Sequence, residues 1–139
     1  MARLDTGYVF GERRIVRVPV KASETIVAND MVDYDSNGFL QACDAGDIPV
    51  GVAVGATTGT VTADGDQIIQ IDTSMASVYR FTPDTGTAAV TLRGKTVDVG
   101  GAQTIDIDAS TDDCILVQDV DTTNNTLLVS LWLKPAGAV

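Results

Sequence analysis

Histidine is absent from all 139 residues of the chain. Without a protein imidazole there is no serine–histidine or cysteine–histidine nucleophile and no histidine-ligated metal, so the commonest hydrolase and zinc-site designs are excluded. Cysteine is scarce too, because Cys43 and Cys114 are the only two. They permit one disulfide, but in a chain with no visible export signal we expect buried, reduced thiols. We predict no catalytic residue, no metal ligand and no cofactor.

Long apolar runs and glutamate are also scarce. No apolar stretch approaches the length of about 18 residues that a membrane helix needs, and no charged-then-apolar leader is visible. We therefore expect neither a membrane partner nor secretion, and synthesis in a cytoplasm. Of the 19 acidic residues, 17 are aspartate and 2 are glutamate. Aspartate favours turns whereas glutamate favours helix interiors, so this choice favours β-structure.

Charge is distributed unevenly along the chain. The net charge of −10 argues against nucleic acid as a partner. Residues 1–21 carry five basic and two acidic residues and so have a net charge of +3, whereas residues 22–139 have a net charge of −13. A basic N-terminal segment can meet an acidic protein surface or phosphates, or it can be a solvated terminus.

Short β-rich segments punctuated by Gly, Asn and Asp fill the chain, and no long segment has a helical apolar period. We predict an all-β fold, a compact β-sandwich or partly open β-barrel, with a single β domain over 14–134. An extended N-terminal arm over 1–13 and a C-terminal tail over 135–139 flank it. Strands are predicted at 14–20, 31–35, 39–43, 49–54, 67–71, 77–81, 88–92, 96–99, 104–108, 114–118 and 126–133. The last strand should be central, and we favour a core position for Trp132 over an interface role.

The segment "DYDSNGFLQACD" from Asp33 to Asp44 fits two patterns. Its acidic and Gly positions match a calcium-binding loop, and its Asn37-Gly38 pair matches a two-residue β-hairpin turn. A calcium loop of this kind needs flanking helices and prefers Glu at its last position, so we favour the hairpin. That turn would pair Tyr34 with Gln41 and direct Asp33 toward water. The expected pairs are Ser36–Phe39, Tyr34–Gln41 and Val32–Cys43.

Other acidic motifs are also interpreted as turns. Asp-Thr-Gly occurs at 5–7 and at 84–86 and resembles the aspartic protease signature, but neither copy follows a buried strand as that chemistry requires. The clusters "IDIDASTDD" and "DVDTTNN" offer carboxylates to a hard cation, yet strand edges followed by turns explain them as well.

The segment from Val20 to about Phe81 resembles the capsid decoration, or cement, proteins of tailed bacteriophages. The matching positions are 29–32 ("NDMV"), 49–53 ("PVGVA") and 63–66 ("ADGD"), with Ile69 and Ile71 in the strand that follows. Asn29 stands where the family more usually has Gly, and Asn also tolerates a left-handed backbone. The chain after Thr82 matches only in being acidic and β-rich.

The resemblance implies a structural virion protein, made in the bacterial host cytoplasm, that binds the outer capsid surface. It would bridge subunits of the major capsid protein, often as a homotrimer, and would not be an enzyme. The predicted partner-binding residues are Arg3, Tyr8, Phe10, Arg13, Arg14 and Arg17. They would let the arm add a strand to a coat-protein sheet. The alternative is an extracellular β-module that binds carbohydrate or a receptor with help from calcium, although aromatic residues are few.

Overall fold

Eleven short strands and one 3-10 helix form the part of the chain that the computed structural model describes, residues 6–132. None of the helical structure in this part is long or apolar enough to cross a membrane. The strands are β1 (Gly7–Phe10), β2 (Ile15–Pro19), β3 (Met31–Tyr34), β4 (Leu40–Ala42), β5 (Gly51–Ala53), β6 (Ile68–Asp72), β7 (Val78–Pro83), β8 (Thr96–Gly101), β9 (Thr104–Asp106), β10 (Ile115–Asp121) and β11 (Thr126–Leu131). The predicted all-β class is confirmed.

The strands form two packed sheets. The first has the order β1-β7-β11-β10-β8-β9, and an additional parallel pairing of β7 with β9 closes five of its strands into a ring. The second has the order β2-β6-β5-β3-β4, and its neighbours are all antiparallel. Strand β11 lies between β7 and β10, which confirms its predicted central position.

The apolar core consists of two clusters that share the second sheet as a wall. Val32 and Ile71 belong to the cluster inside the second sheet, while Met31 and Val52 belong to the cluster built mainly on the first sheet. Adjacent strand residues point to opposite faces, so β3 contributes Met31 to one core and Val32 to the other. The second sheet is therefore apolar on both faces.

Both cysteines lie in the larger of these clusters as free, buried thiols. Burial raises the pKa of Cys114 to about 11 and raises that of Cys43 further still. Both thiols are therefore protonated at neutral pH, and protonated thiols are poor nucleophiles.

The hairpin between β3 and β4 is present, but its predicted register is wrong by one residue. Tyr34 pairs with Leu40, and Asp33 pairs with Gln41. The Asp35 Oδ1 atom accepts hydrogen bonds from the backbone N–H groups of Asn37 and Phe39, both at 2.9 Å. This carboxylate stabilises a three-residue loop with Gly38 at φ 85°, which replaces the expected two-residue turn. Asp33 shares a face of β3 with Met31, and because that face packs against an apolar cluster, Asp33 is half-buried rather than directed toward water.

Three further expectations fail. Residues 7–10 are not a free arm, because β1 pairs with β7. The predicted strand at 88–92 is instead a 3-10 helix over Val90–Leu92, with Val90 exposed. Trp132 is 48% exposed rather than buried in the core. Residues 1–5 and the predicted tail over 135–139 lie outside the described part of the chain.

The acidic clusters mostly hold turns by hydrogen bonding to the backbone. The buried Asp98 carboxylate accepts from the N–H groups of Thr111, Asp112 and Asp113 at 2.9–3.0 Å. Asp121 does the same at the β10–β11 turn, where its Oδ1 accepts from Thr123 and Asn124. The second Asp-Thr-Gly motif directly follows the largely buried strand β7, contrary to the expectation that neither copy follows a buried strand. The Asp84 carboxylate nevertheless accepts from the Thr85 N–H at 2.7 Å, and Gly86 has φ 79°, so the motif forms a turn.

Replacing Asp98 by Ala should lower the free energy of unfolding by about 3 kcal/mol, because three backbone donors lose a charged acceptor. Denaturant unfolding measures this change. Asp108→Ala is the matched control, since the Asp108 residue is exposed, and it should change stability by less than about 0.5 kcal/mol. Equal effects of the two substitutions would contradict the role assigned to Asp98.

Candidate protein-interaction surface

Five of the six residues predicted to bind a partner lie in β1, β2 and the segment between them. Tyr8 and Phe10 are in β1, Arg17 is in β2, and Arg13 and Arg14 join the two strands. Arg3 lies outside the described residues. Because β1 and β2 belong to different sheets, this short segment connects the two layers at one end of the molecule.

Asp72 is the polar centre of this end and is fully buried. Its Oδ1 accepts hydrogen bonds from the backbone N–H groups of Arg14 and Ser74, both at 3.0 Å, and its Oδ2 accepts from the Tyr79 hydroxyl at 2.6 Å. The Arg13 Nε atom lies 3.6 Å from Oδ2. One carboxylate thus connects the end of β6 to β7 and to the start of β2.

The surroundings of Asp72 and Tyr79 determine the protonation states of these two side chains. Burial raises the pKa of Asp72, but hydrogen bonds from Ser77, Tyr79 and two backbone N–H groups outweigh burial and hold the pKa below its ordinary value. Burial and the hydrogen bond to Asp72 raise the pKa of Tyr79. Asp72 is therefore charged and Tyr79 neutral at neutral pH, which is the arrangement that a short O–H···O⁻ hydrogen bond requires.

Two of the predicted partner residues make side-chain contacts within the molecule, although Tyr8 is still 38% exposed. The Tyr8 ring packs edge-on against Tyr79 with centroids 5.8 Å apart, and the Arg13 guanidinium lies 3.7 Å from the Tyr8 ring centroid. These contacts form a cation–π and aromatic stack above Asp72. Tyr8 and Arg13 consequently stabilise the junction, and less of their surface is left for a partner than the sequence predicts.

The other three predicted residues are exposed. Phe10 is 55% exposed, and Arg14 and Arg17 are also exposed, with neither guanidinium paired to a carboxylate among residues 6–132. Sequence reasoning missed Ile15 and Val16, which add exposed apolar surface beside these arginines. The alternation in "RIVRVPV" indicates a half-buried strand, but it does not show that the first residues of that strand lie at an open sheet edge.

The motifs that carry the family resemblance have structural roles here. Asn29 adopts φ 75°, as expected from its tolerance of the left-handed region. Asp30 is buried and its Oδ2 accepts from the Val27 N–H at 3.0 Å. A Cβ atom on Gly51 would lie 2.7 Å from the Asp72 carbonyl oxygen, so only Gly fits at that position of β5. In the "ADGD" turn, Asp64 accepts from the Ala22 N–H at 2.8 Å.

The acidic side chains that line a cavity elsewhere in the described fold are already engaged in local contacts. A shallow cavity of about 380 Å³ lies over β7, β10 and β11 and is lined by Arg80, Asp119, Asp121 and Leu128 among others. The Asp119 carboxylate pairs with Arg93 at 2.6 Å, and Asp121 caps its own turn. No group of three or more metal-ligating side chains occurs within residues 6–132.

Comparisons of the chain with protein-family models, with curated proteins and with solved structures give no match.

Replacing Asp72 by Asn should lower the free energy of unfolding at neutral pH by about 2 kcal/mol or more, since a buried charged acceptor is lost. The pKa of Asp72 is lower in the folded chain, so its contribution is complete above its ordinary value of 3.8 and is lost as pH falls through the folded pKa. The variant should thus lose less stability in acid than the parent. Urea unfolding at neutral and acidic pH measures both effects, with the exposed Asp66→Asn as control. An unchanged acid dependence would contradict the role of Asp72.

Asp33 should have the opposite pH dependence. Burial and the nearby Asp47 raise the pKa of Asp33 to about 6, and its Oδ1 atom is buried without a hydrogen-bond partner in the described structure. A raised folded pKa means that stability falls as pH rises from 3.8 through about 6. We expect Asp33→Asn to be more stable than the parent above this window and similar below it. Thermal unfolding across the window measures this, with the exposed Asp108→Asn, which does not contribute to the pKa shift of Asp33, as control. A parallel pH profile in the Asp33→Asn variant would contradict the prediction.

Proposed function

We propose that this protein is a capsid decoration protein of a tailed bacteriophage. It binds the outer surface of the assembled shell and stabilises it by bridging major capsid protein subunits. It acts structurally rather than as an enzyme and uses no cofactor. The sequence resemblance over 20–81 suggests this class and also suggests that copies assemble as a homotrimer on the capsid surface.

The observation that carries the proposal is the exposed basic and apolar surface at the sheet junction. Phe10, Ile15, Val16, Arg14 and Arg17 are exposed within ten residues of sequence, on a chain whose remaining part is strongly acidic. Clustered aromatic and Arg side chains are typical of protein interfaces. A rigid two-sheet body beneath them holds these side chains without a loss of backbone freedom on binding.

Because residues 7–10 pair with β7 as β1, they belong to the folded body, and deleting the N-terminal segment is a poor test of binding. Deleting residues 1–13 would remove β1 and the contacts of Arg13 with Asp72, so the body would lose a strand as well as a binding segment. Point substitutions on the exposed side chains separate binding from folding and are the better test.

We expect Phe10→Ala and Arg14→Glu each to weaken binding to shells by about tenfold or more, because each removes an exposed anchor or reverses a steering charge. Tailless shells assembled from the major capsid protein of the same genome are mixed with the purified chain. Co-sedimentation gives the affinity, and the temperature of shell disruption gives the stabilisation. The parent protein should bind saturably and raise that temperature.

The matched controls are Val90→Ala and Lys95→Glu, which alter exposed residues near the 3-10 helix, away from β1 and β2. They should bind as the parent does. The proposal is wrong if the parent binds unrelated shells equally well, or fails to bind. Binding of a soluble carbohydrate by the parent in calorimetry, dependent on calcium, would support the alternative of an extracellular β-module.

A further inference from the structure

Three strands in the described part of the chain are edge strands, which have a neighbouring strand in their sheet order on one side only. They differ in how their outer edges are covered. These edge strands are β1 in the first sheet, and β2 and β4 in the second. An uncovered edge offers unpaired N–H and C=O groups to a strand from another chain. The three edges therefore need to be compared one at a time.

The edges of β1 and β4 are covered by the chain itself. The Tyr8 N–H donates to the Asn29 Oδ1 atom at 3.3 Å, and a Cβ atom on Gly7 would lie 2.5 Å from the same Asn29 side chain. On β4, the Leu40 carbonyl accepts from the Lys21 N–H at 2.9 Å, and the Ala42 N–H donates to the Glu24 carboxylate at 2.7 Å. An incoming strand would have to displace these groups.

Along its first residues, the outer edge of β2 has no neighbouring strand among residues 6–132, whereas beyond Pro19 the chain bridges to β4 at Val20–Leu40. The Thr73 N–H donates to the Arg14 carbonyl at 2.8 Å, and the Val20 N–H donates to the Gln67 carbonyl at 2.9 Å, so even-numbered residues face β6. Because the direction alternates along an antiparallel ladder, Ile15 and Arg17 direct their N–H and C=O groups away from the sheet. No backbone hydrogen bond from these groups is present within residues 6–132. Pro19 has no N–H and limits the open edge to the start of β2.

The side chains along this edge indicate what kind of strand it accepts. Arg17 projects from the same face of β2 as Ile15, whose side chain is 41% exposed, and Arg14 adds a second exposed cation at the strand's start. Opposite charges directly across a strand pair are stabilising and like charges are destabilising. A second copy pairing through β2 would bring these arginines together, so charge complementarity favours a different partner.

We propose that the open edge of β2 binds an extended segment of a partner protein in which acidic and apolar side chains alternate. The segment adds a strand to the second sheet, with backbone hydrogen bonds to Ile15 and Arg17 and a carboxylate opposite the Arg17 guanidinium. The inference that this segment belongs to a capsid subunit rests on the proposed function. The preference of the edge for an acidic strand rests only on the side chains along β2.

A test uses a soluble peptide of about nine residues in which valine and glutamate alternate, titrated into the ¹⁵N-labelled full chain. The Ile15 and Arg17 amide resonances should shift saturably and their hydrogen exchange should slow. The Val16 and Val18 amides, already bonded to β6, should change little. The Arg17→Glu variant should bind about tenfold more weakly or not at all, and the Lys95→Glu variant should bind like the parent.

Two matched peptides complete the test. One has N-methyl groups on alternate residues, which removes donors without changing charge, and the other has lysine in place of glutamate. Both should fail to shift the Ile15 and Arg17 amides. The proposal is overturned if the lysine peptide binds equally, if β1 or β4 amides shift instead, or if the chain alone self-associates with protection of these two amides. No shells enter this experiment, so its failure is distinct from failure to bind a capsid.

Discussion

One buried carboxylate governs how the two sheets meet. Asp72 ends β6 in the second sheet, yet its oxygens accept hydrogen bonds from Tyr79 in the first sheet and from the backbone that leads into β2. An unpaired charge at this position would be strongly unfavourable, so these donors must all be in place when the carboxylate is ionised. The stack of Tyr8 and Arg13 above it follows from the same requirement, because the guanidinium lies close to Oδ2 and the ring covers Tyr79.

Strand pairing also fixes the position of the exposed part of the junction. The segment that carries Phe10, Arg14 and Arg17 is anchored at both ends, by the pairing of β1 with β7 and of β2 with β6. Its internal contacts use Tyr8 and Arg13, while Phe10, Arg14 and Arg17 remain exposed. Side chains held in this way lose little conformational freedom when a partner arrives, which favours affinity without a large contact area.

Most of the fold could be predicted from the sequence, because alternation and turn residues locate strands well. Ten of the eleven strands overlap predicted segments. The failures have local causes. β1 has only four residues and begins with Gly7, so its sequence is too short to show a strand pattern. Asp35 shifts the hairpin because its carboxylate accepts from two backbone N–H groups. For the candidate surface, residue type identified Phe10, Arg14 and Arg17. The contacts of Tyr8 with Tyr79 and of Arg13 with Asp72 join residues far apart in sequence, which no local pattern shows.

The second sheet contributes side chains to both apolar clusters, with Met31 facing one and Val32 facing the other. Since β2 is an edge strand of that sheet, a mechanical load applied at β2 is transmitted to a sheet that packs against both apolar clusters. A load applied along β2 shears its hydrogen-bonded ladder with β6, so several hydrogen bonds resist it together. The proposed binding edge is therefore connected through one sheet to both apolar clusters.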